Sequence, residues 1–484
     1  MVSALPAGGP AHYMTPRGNP DESNWLRGAL AASCVVLLAG CAGMMTLTDH
    51  YDGLRTRLAG CDYGAAIAQI EAAKGVTYKR KDSVLYYLDL GMLQYFAGQS
   101  RESNRSLEDA QLGIEAAFTK SVSQGAASLL LNDNTLDYAG EDYEDVYLNV
   151  FKALNYLRDR QQAEAFVELR RMNEKLNVLE DRYGRLAAGL NTSSNAVARF
   201  QPGASRFHNS ALGRYLSMLA YRSEGRMDEA RIDAAKIAEA WTTQPAVYRF
   251  SMPDVQSCLA PAAAPRLDLI CFTGLGPRKG SETYYVHTED GLLLVGRSFK
   301  PPDERTRRQF VPIPWKGIHG GLHLKFSVPV LYAQTSAVAR VEAVVDGVPV
   351  TMAPIELMQD VAAETFKVKA PLVRMRSLTR MVLKGLAAHE AKKRIRRETK
   401  DKKDADLACL LIDISLDATE SADLRISHCF PAEALVGQAA VRAGRSNVEF
   451  RYYGRNGALI YTDRKGAVEV SDSGLNLVQS AYLN

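Results

Sequence analysis

With 484 residues, 46% of them apolar and 24% charged, the chain carries enough hydrophobic surface for two or more cores, which excludes disorder as its general state. Its 59 basic and 55 acidic side chains leave a formal charge of +4, so the overall balance selects no nucleic-acid partner and any electrostatic role must be local. No apolar run reaches the roughly 20 residues that a membrane-spanning helix needs.

Near the N-terminus, WLRGALAASCVVLLAGC (Trp25 to Cys41) places Arg27 before an apolar run and small residues before a cysteine, the order of a secretory signal peptide over residues 1–40. The alternative is an ordinary buried helix with a chance cysteine. Met14 makes a more typical start than the Pro/Gly/Ala-rich stretch before it. After export, Cys61, Cys258, Cys271, Cys409 and Cys429 remain. Cys258 with Cys271 and Cys409 with Cys429 are the pairs closest in sequence, in a compartment that permits bridges.

Residues 41–258 show apolar positions at i, i+3, i+4 and i+7, predicting successive amphipathic helices. Residues 84–110 place Tyr87, Leu90, Gly91, Gly98, Leu107 and Ala110 at spacings similar to a tetratricopeptide helix-turn-helix unit. Residues 146–173 repeat the length and polarity with Asp159-Arg160 in place of the small turn residue, and residues 211–241 repeat it with Gly225. Stacked units of this kind form a curved array whose concave side commonly holds a protein segment; the alternative is an irregular helical domain with no groove. The polar stretch 191–205 reads as a long connection at the rim of that groove.

The Pro/Ala stretch Leu259 to Pro265 separates this half from a mixed one. RLDLICF (266–272) reads as a buried strand, and Asp290-Gly291 and Asp346-Gly347 as hairpin turns. Residues 355–403 return to helical spacing and end in a basic run with Lys392, Lys393, Arg394, Arg396 and Arg397, either an anionic contact or a solvated helix face. The tail alternates apolar and polar residues between glycines, predicting antiparallel strands. The expected fold is α+β, with a helical array at 41–258, a mixed sheet and helix domain at 266–400 and a strand-rich, sandwich-like module at 401–484.

Chemistry-bearing motifs are few. Gly274, Gly276 and Lys279 in GLGPRKG form a candidate anion-contact loop, although Pro277 removes one N–H and a Gly/Pro turn fits better. His319 and His323 lack a third ligand at metal spacing, and His389-Glu390 starts a zinc-protease pattern that fails at Lys393. Glu141, Asp142 and Glu144 around Tyr143 read as a solvated acidic patch. No residue is a candidate catalyst or metal ligand, so the expectation is a non-enzyme.

Leu38-Ala39-Gly40-Cys41 resembles the bacterial lipobox, which implies that Cys41 carries diacylglycerol and an acyl chain and becomes the new N-terminus. Each buried methylene of such an anchor contributes roughly 0.8 kcal/mol. Ala42, rather than an aspartate, after the cysteine implies the periplasmic face of the outer membrane. Together with YEDVYLNVFKALNYL, FTGLGPRK (272–279) and ADLRISHCFP (422–431), the lipobox makes the chain similar to a bacterial lipoprotein family of uncharacterised function with a tetratricopeptide-like helical half. That family generally has a tryptophan where Ser427 stands. The resemblance implies address and architecture. The functional expectation is a lipid-anchored scaffold that binds cell-envelope proteins through its helical array, with no nucleic acid. The alternative is a cell-wall accessory whose site lies in the mixed half.

Overall fold

The computed structural model describes residues 50–124, 131–192, 199–261, 264–299, 307–399, 401–419 and 421–484. The signal segment, with Leu38, Ala39, Gly40 and Cys41, lies outside them. After α1 (Tyr63–Ala73) come three antiparallel helix pairs: α2 (Ser83–Phe96) with α3 (Ser100–Gln124), α4 (Asp142–Arg158) with α5 (Gln162–Asn177), and α7 (Ala211–Ser223) with α8 (Met227–Thr243). A further helix, α6 (Leu179–Asn191), follows the second pair.

The three turns share one geometry. Gly98, Arg160 and Gly225 take φ of +76°, +58° and +74°, and the next N–H reaches back to close each helix: Gln99 to Gln94 O at 2.9 Å, Gln161 to Tyr156 O at 2.8 Å, Arg226 to Tyr221 O at 2.9 Å. Arg160 therefore holds the left-handed position that glycine holds in the other two turns, at a cost of roughly 1 kcal/mol. Gly91 permits the close helix approach read from the sequence, since a Cβ there would lie 2.8 Å from Leu107.

The mixed half contributes twelve described strands. One sheet has the order β12-β1-β9-β8, from β1 (Arg266–Leu275), β8 (Ala353–Glu356), β9 (Pro431–Ala440) and β12 (Leu477–Tyr482). A second has the order β11-β10-β6-β7, from β6 (Val338–Val345), β7 (Val348–Thr351), β10 (Gly444–Gly454) and β11 (Leu459–Val470). The two sheets enclose a core of Leu267, Leu269 and Cys271 with Val341, Ala343, Phe450 and Tyr452. Alternate residues of β1 point the other way: Phe272 meets Phe151 of α4 with ring centroids 5.1 Å apart, and Asp268 pairs with Arg222 of α7. Burial on both faces is why this strand reads as a continuous apolar run.

The third sheet, β4-β3-β2-β5, comprises β2 (Arg278–Glu289), β3 (Leu292–Phe299), β4 (Arg307–Pro314) and β5 (His323–Tyr332). It packs Val286, Leu293 and Phe326 against Leu378, Met381 and Val382 of α9 (Met358–Glu398). The last helix is α10 (Lys402–Thr419). Asp346 and Gly347 both take positive φ, +49° and +82°, as a two-residue turn between β6 and β7 demands.

The fold is α+β, but it departs from the expected organisation in three ways. Strands from 266–356 and from 431–482 interleave in both sandwich sheets, so a division at 400/401 does not separate modules; residues Leu54–Asn484 cluster as one unit. The inner helices face this chain rather than an open groove: every residue from Asp142 to Asn155 of α4 is buried, and Tyr143 and Phe151 pack on Phe430 and Phe272. The end of the long connection lies on α9, where Gly203 N–H donates to Val368 O at 2.8 Å. A Cβ on Gly203 would come within 2.1 Å of Lys367 O, the carbonyl for which Pro371 has no N–H. Of the two readings open for the cysteines, bridges or buried free thiols, the structure has the second: Cys61, Cys258, Cys271, Cys409 and Cys429 are all free, four of them buried. Among the described residues no helix is long and apolar enough to cross a membrane.

Candidate functional site

The start of α4 is set by its own sequence. Glu144, at the third helical position, accepts the Glu141 N–H at 2.7 Å, one arm of a capping box. This local turn places Glu141, Asp142 and Glu144 at the seam with the mixed half, and all three are buried. The reading of a solvated acidic patch is therefore corrected: the carboxylates leave water because partners arrive from elements remote in sequence.

Glu141 sits between two ammonium groups, Lys279 at the head of β2 and Lys369 of α9, the latter at 2.5 Å. Burial would raise the Glu141 carboxyl, but the two cations outweigh it and hold it below the ordinary range. Lys279 also donates to Arg425 O at 2.8 Å. The Arg425 guanidinium in turn binds Asp423 at 2.8 Å and Asp82 at 3.0 Å, and donates to the Leu136 and Asp133 carbonyls at 3.1 and 2.9 Å. Burial opposes ionisation of Asp423, yet Arg425 brings its pKa down to about 2. Asp142 moves the other way: burial raises it, and Tyr183 donates to it at 3.0 Å.

Against these groups lies a cavity of about 150 Å³, walled by Phe118, Tyr138 and Tyr183 on the helical side and by Phe366, Lys369 and Arg376 from α9. Its polar wall is made of groups already paired, such as Arg376 with Asp133 at 3.2 Å and Arg182 with Asp145 at 3.2 Å.

Glu144 lies behind this wall and does not line the cavity. It accepts hydrogen bonds from Tyr138 Oη at 2.8 Å and Ser427 N at 2.6 Å, yet burial, with Glu141 adding, raises its pKa to about 7. Because the folded value exceeds the ordinary 4.5, the folded state binds the proton more tightly. The stability this group contributes is complete below pH 4.5 and is lost as pH rises through 7, a change of about 3 kcal/mol at most. Glu144→Gln is expected to flatten the fall in urea midpoint over that window; an unchanged slope would assign it to another group.

The other sequence-predicted residues fall elsewhere. Gly274 takes φ +65° between Ser336 and Ala432, and the Gly276 N–H is given to Phe430 O at 2.8 Å. Lys279 of the same segment is paired with Glu141. Lys393, Arg394, Arg396 and Arg397 are exposed near the end of α9, with Arg394 paired to Glu398 at 2.8 Å and the half-buried Lys392 to Asp413. His319 is 91% exposed beside Asp290, while His323 meets His287 instead. Lys369, Tyr183 and Arg425 were missed; the only sequence hint was Glu at the first and fourth positions of Glu141 to Glu144, a helix-start signature. Ser427 donates to Asp89 at 2.6 Å.

Comparison of the chain with protein families, curated proteins and solved structures returns no match.

Proposed function

We propose that this chain is an exported lipoprotein, anchored through Cys41 on the periplasmic face of the outer membrane, that binds another envelope protein without catalysis. The lipobox-like segment supports the address. The observation that carries the binding role is the cavity at the seam: about 150 Å³ is the space of one side chain or a very small ligand, below the 300–1,000 Å³ of usual cofactor sites. The partner inserts a single side chain there, and confinement to the membrane surface raises the effective concentration so that modest affinity suffices. The inner helical face, filled by this chain, leaves the seam and the outer helices as the contact surface.

The test is site-specific photocrosslinking in the native envelope from Ser121, at the cavity wall, with and without the cavity-filling change Val373→Trp. Crosslinks that disappear with Val373→Trp, while the urea midpoint holds, support the reading; crosslinks that persist remove the cavity from it. A Cys41→Ser variant that still fractionates with membranes would count against the anchor. Contact with cell-wall glycan through the mixed half is the second reading, favoured by Tyr285 and Phe310. These residues are 48% and 45% exposed on either side of Gly296 and offer ring faces on which sugars stack.

A further inference from the structure

We propose that His287 and His323 together form a binding site for a first-row divalent transition-metal ion, copper(II) most tightly. The two residues stand 36 positions apart but are direct partners across β2 and β5. Their strand neighbours Val286 and Leu324 pack toward α9, so alternation turns both imidazoles to the opposite face of the sheet. There the Nδ1 atoms lie 3.2 Å apart and the ring centroids 4.5 Å apart.

Two imidazole nitrogens bound to one ion at about 2.0–2.1 Å, at angles of about 90–110°, are separated by about 2.8–3.4 Å. The observed separation falls inside that interval, so an ion needs no movement of the backbone. Glu289 adds negative charge beside the pair, its Oε1 lying 3.8 Å from His287 Nε2. A cavity of about 250 Å³ opens beside both rings, lined also by Tyr285, Gly296, Arg297 and Phe310, with room for water on the remaining coordination positions. Imidazole ligands suit copper, nickel and zinc, and at a given site copper(II) binds most strongly of the divalent series. Among the described residues no group of three or more His, Cys, Asp or Glu side chains is placed to hold a metal, so the site has two protein ligands and exchangeable outer positions.

The probe is copper(II) itself, titrated into the full-length chain without a histidine tag and followed by equilibrium dialysis and electron paramagnetic resonance. The expected result is one ion per chain at this site with a two-nitrogen signature. His287→Ala and His323→Ala should each weaken it by about tenfold or more, and His319→Ala should leave it unchanged. His287→Asn, at a half-buried position, guards against a folding effect, and equal urea midpoints confirm it. A wild-type spectrum without two coordinating nitrogens, or affinity that survives both alanine changes, would overturn the assignment.

Discussion

Glu356→Ala is expected to destabilise the protein by about 3–9 kcal/mol, a large part of the stability of an ordinary chain. Glu356 closes β8 and is fully buried. Its Oε1 accepts Tyr147 Oη at 2.6 Å and Ser210 Oγ at 2.8 Å; its Oε2 accepts Tyr248 Oη at 2.6 Å and Leu212 N at 3.2 Å. One carboxyl thus ties α4, the first turn of α7 and the segment after α8 to the sandwich sheet. Burial raises its pKa, while the four donors and the α7 N-terminus favour the charged form. Alanine would strand the Tyr147 and Ser210 hydroxyls and the Leu212 amide without this acceptor, each costing about 1–3 kcal/mol, and leave Tyr248 only the Asn209 carbonyl at 3.2 Å. Glu356→Gln keeps the shape but turns an NH2 toward donors, and an intermediate loss is expected. Urea unfolding and soluble yield provide the measurement; a loss below about 1 kcal/mol for alanine would show that the tie carries little.

The second large effect is expected at Glu141. Glu141→Gln leaves Lys279 and Lys369 facing each other, with 4% and 12% side-chain exposure, and should cost about 3–5 kcal/mol. Most of that is the cost of the uncompensated cations rather than the net worth of the pair. Glu141→Gln combined with Lys279→Met should therefore lose less than the sum of the single changes, with coupling above about 1 kcal/mol; strict additivity would refute the clamp. The pH dependence has the opposite sign to that of Glu144. Because the Glu141 carboxyl is held below its ordinary 4.5, its contribution is present above that value and is lost as pH falls through the folded one. Two carboxyls three positions apart thus shift in opposite directions, because one faces two ammonium groups while at the other burial, with the Glu141 charge adding, outweighs the hydrogen bonds it accepts.

Local geometry was legible from the residues. The helix pairs at 84–110, 146–173 and 211–241 exist because apolar periodicity and a left-handed turn residue are properties of neighbouring positions. Even the odd unit keeps its turn, with Arg160 under strain. The Asp346-Gly347 hairpin and the change of period after Leu259 belong to the same class. What the chain alone determines is therefore the helix pairs and the short turns, which follow from spacing within a few residues, whereas the helix Lys402–Thr419 stands where a strand-rich module was expected.

Tertiary structure decided the rest, for a different physical reason. A strand records which of its faces is apolar but not its partner, so the parallel pairing of Asp268 with Leu477, and the sandwich it closes, is absent from any local pattern. A carboxylate is stable in the interior only where a cation or donor meets it. The burial of Glu141, Asp142 and Glu144 was therefore settled by Lys279, Lys369, Tyr183 and Ser427 from distant elements. The histidine pair shows the same limit: His319 and His323 are near in sequence, yet sheet register, which no window of residues contains, joins His323 to His287.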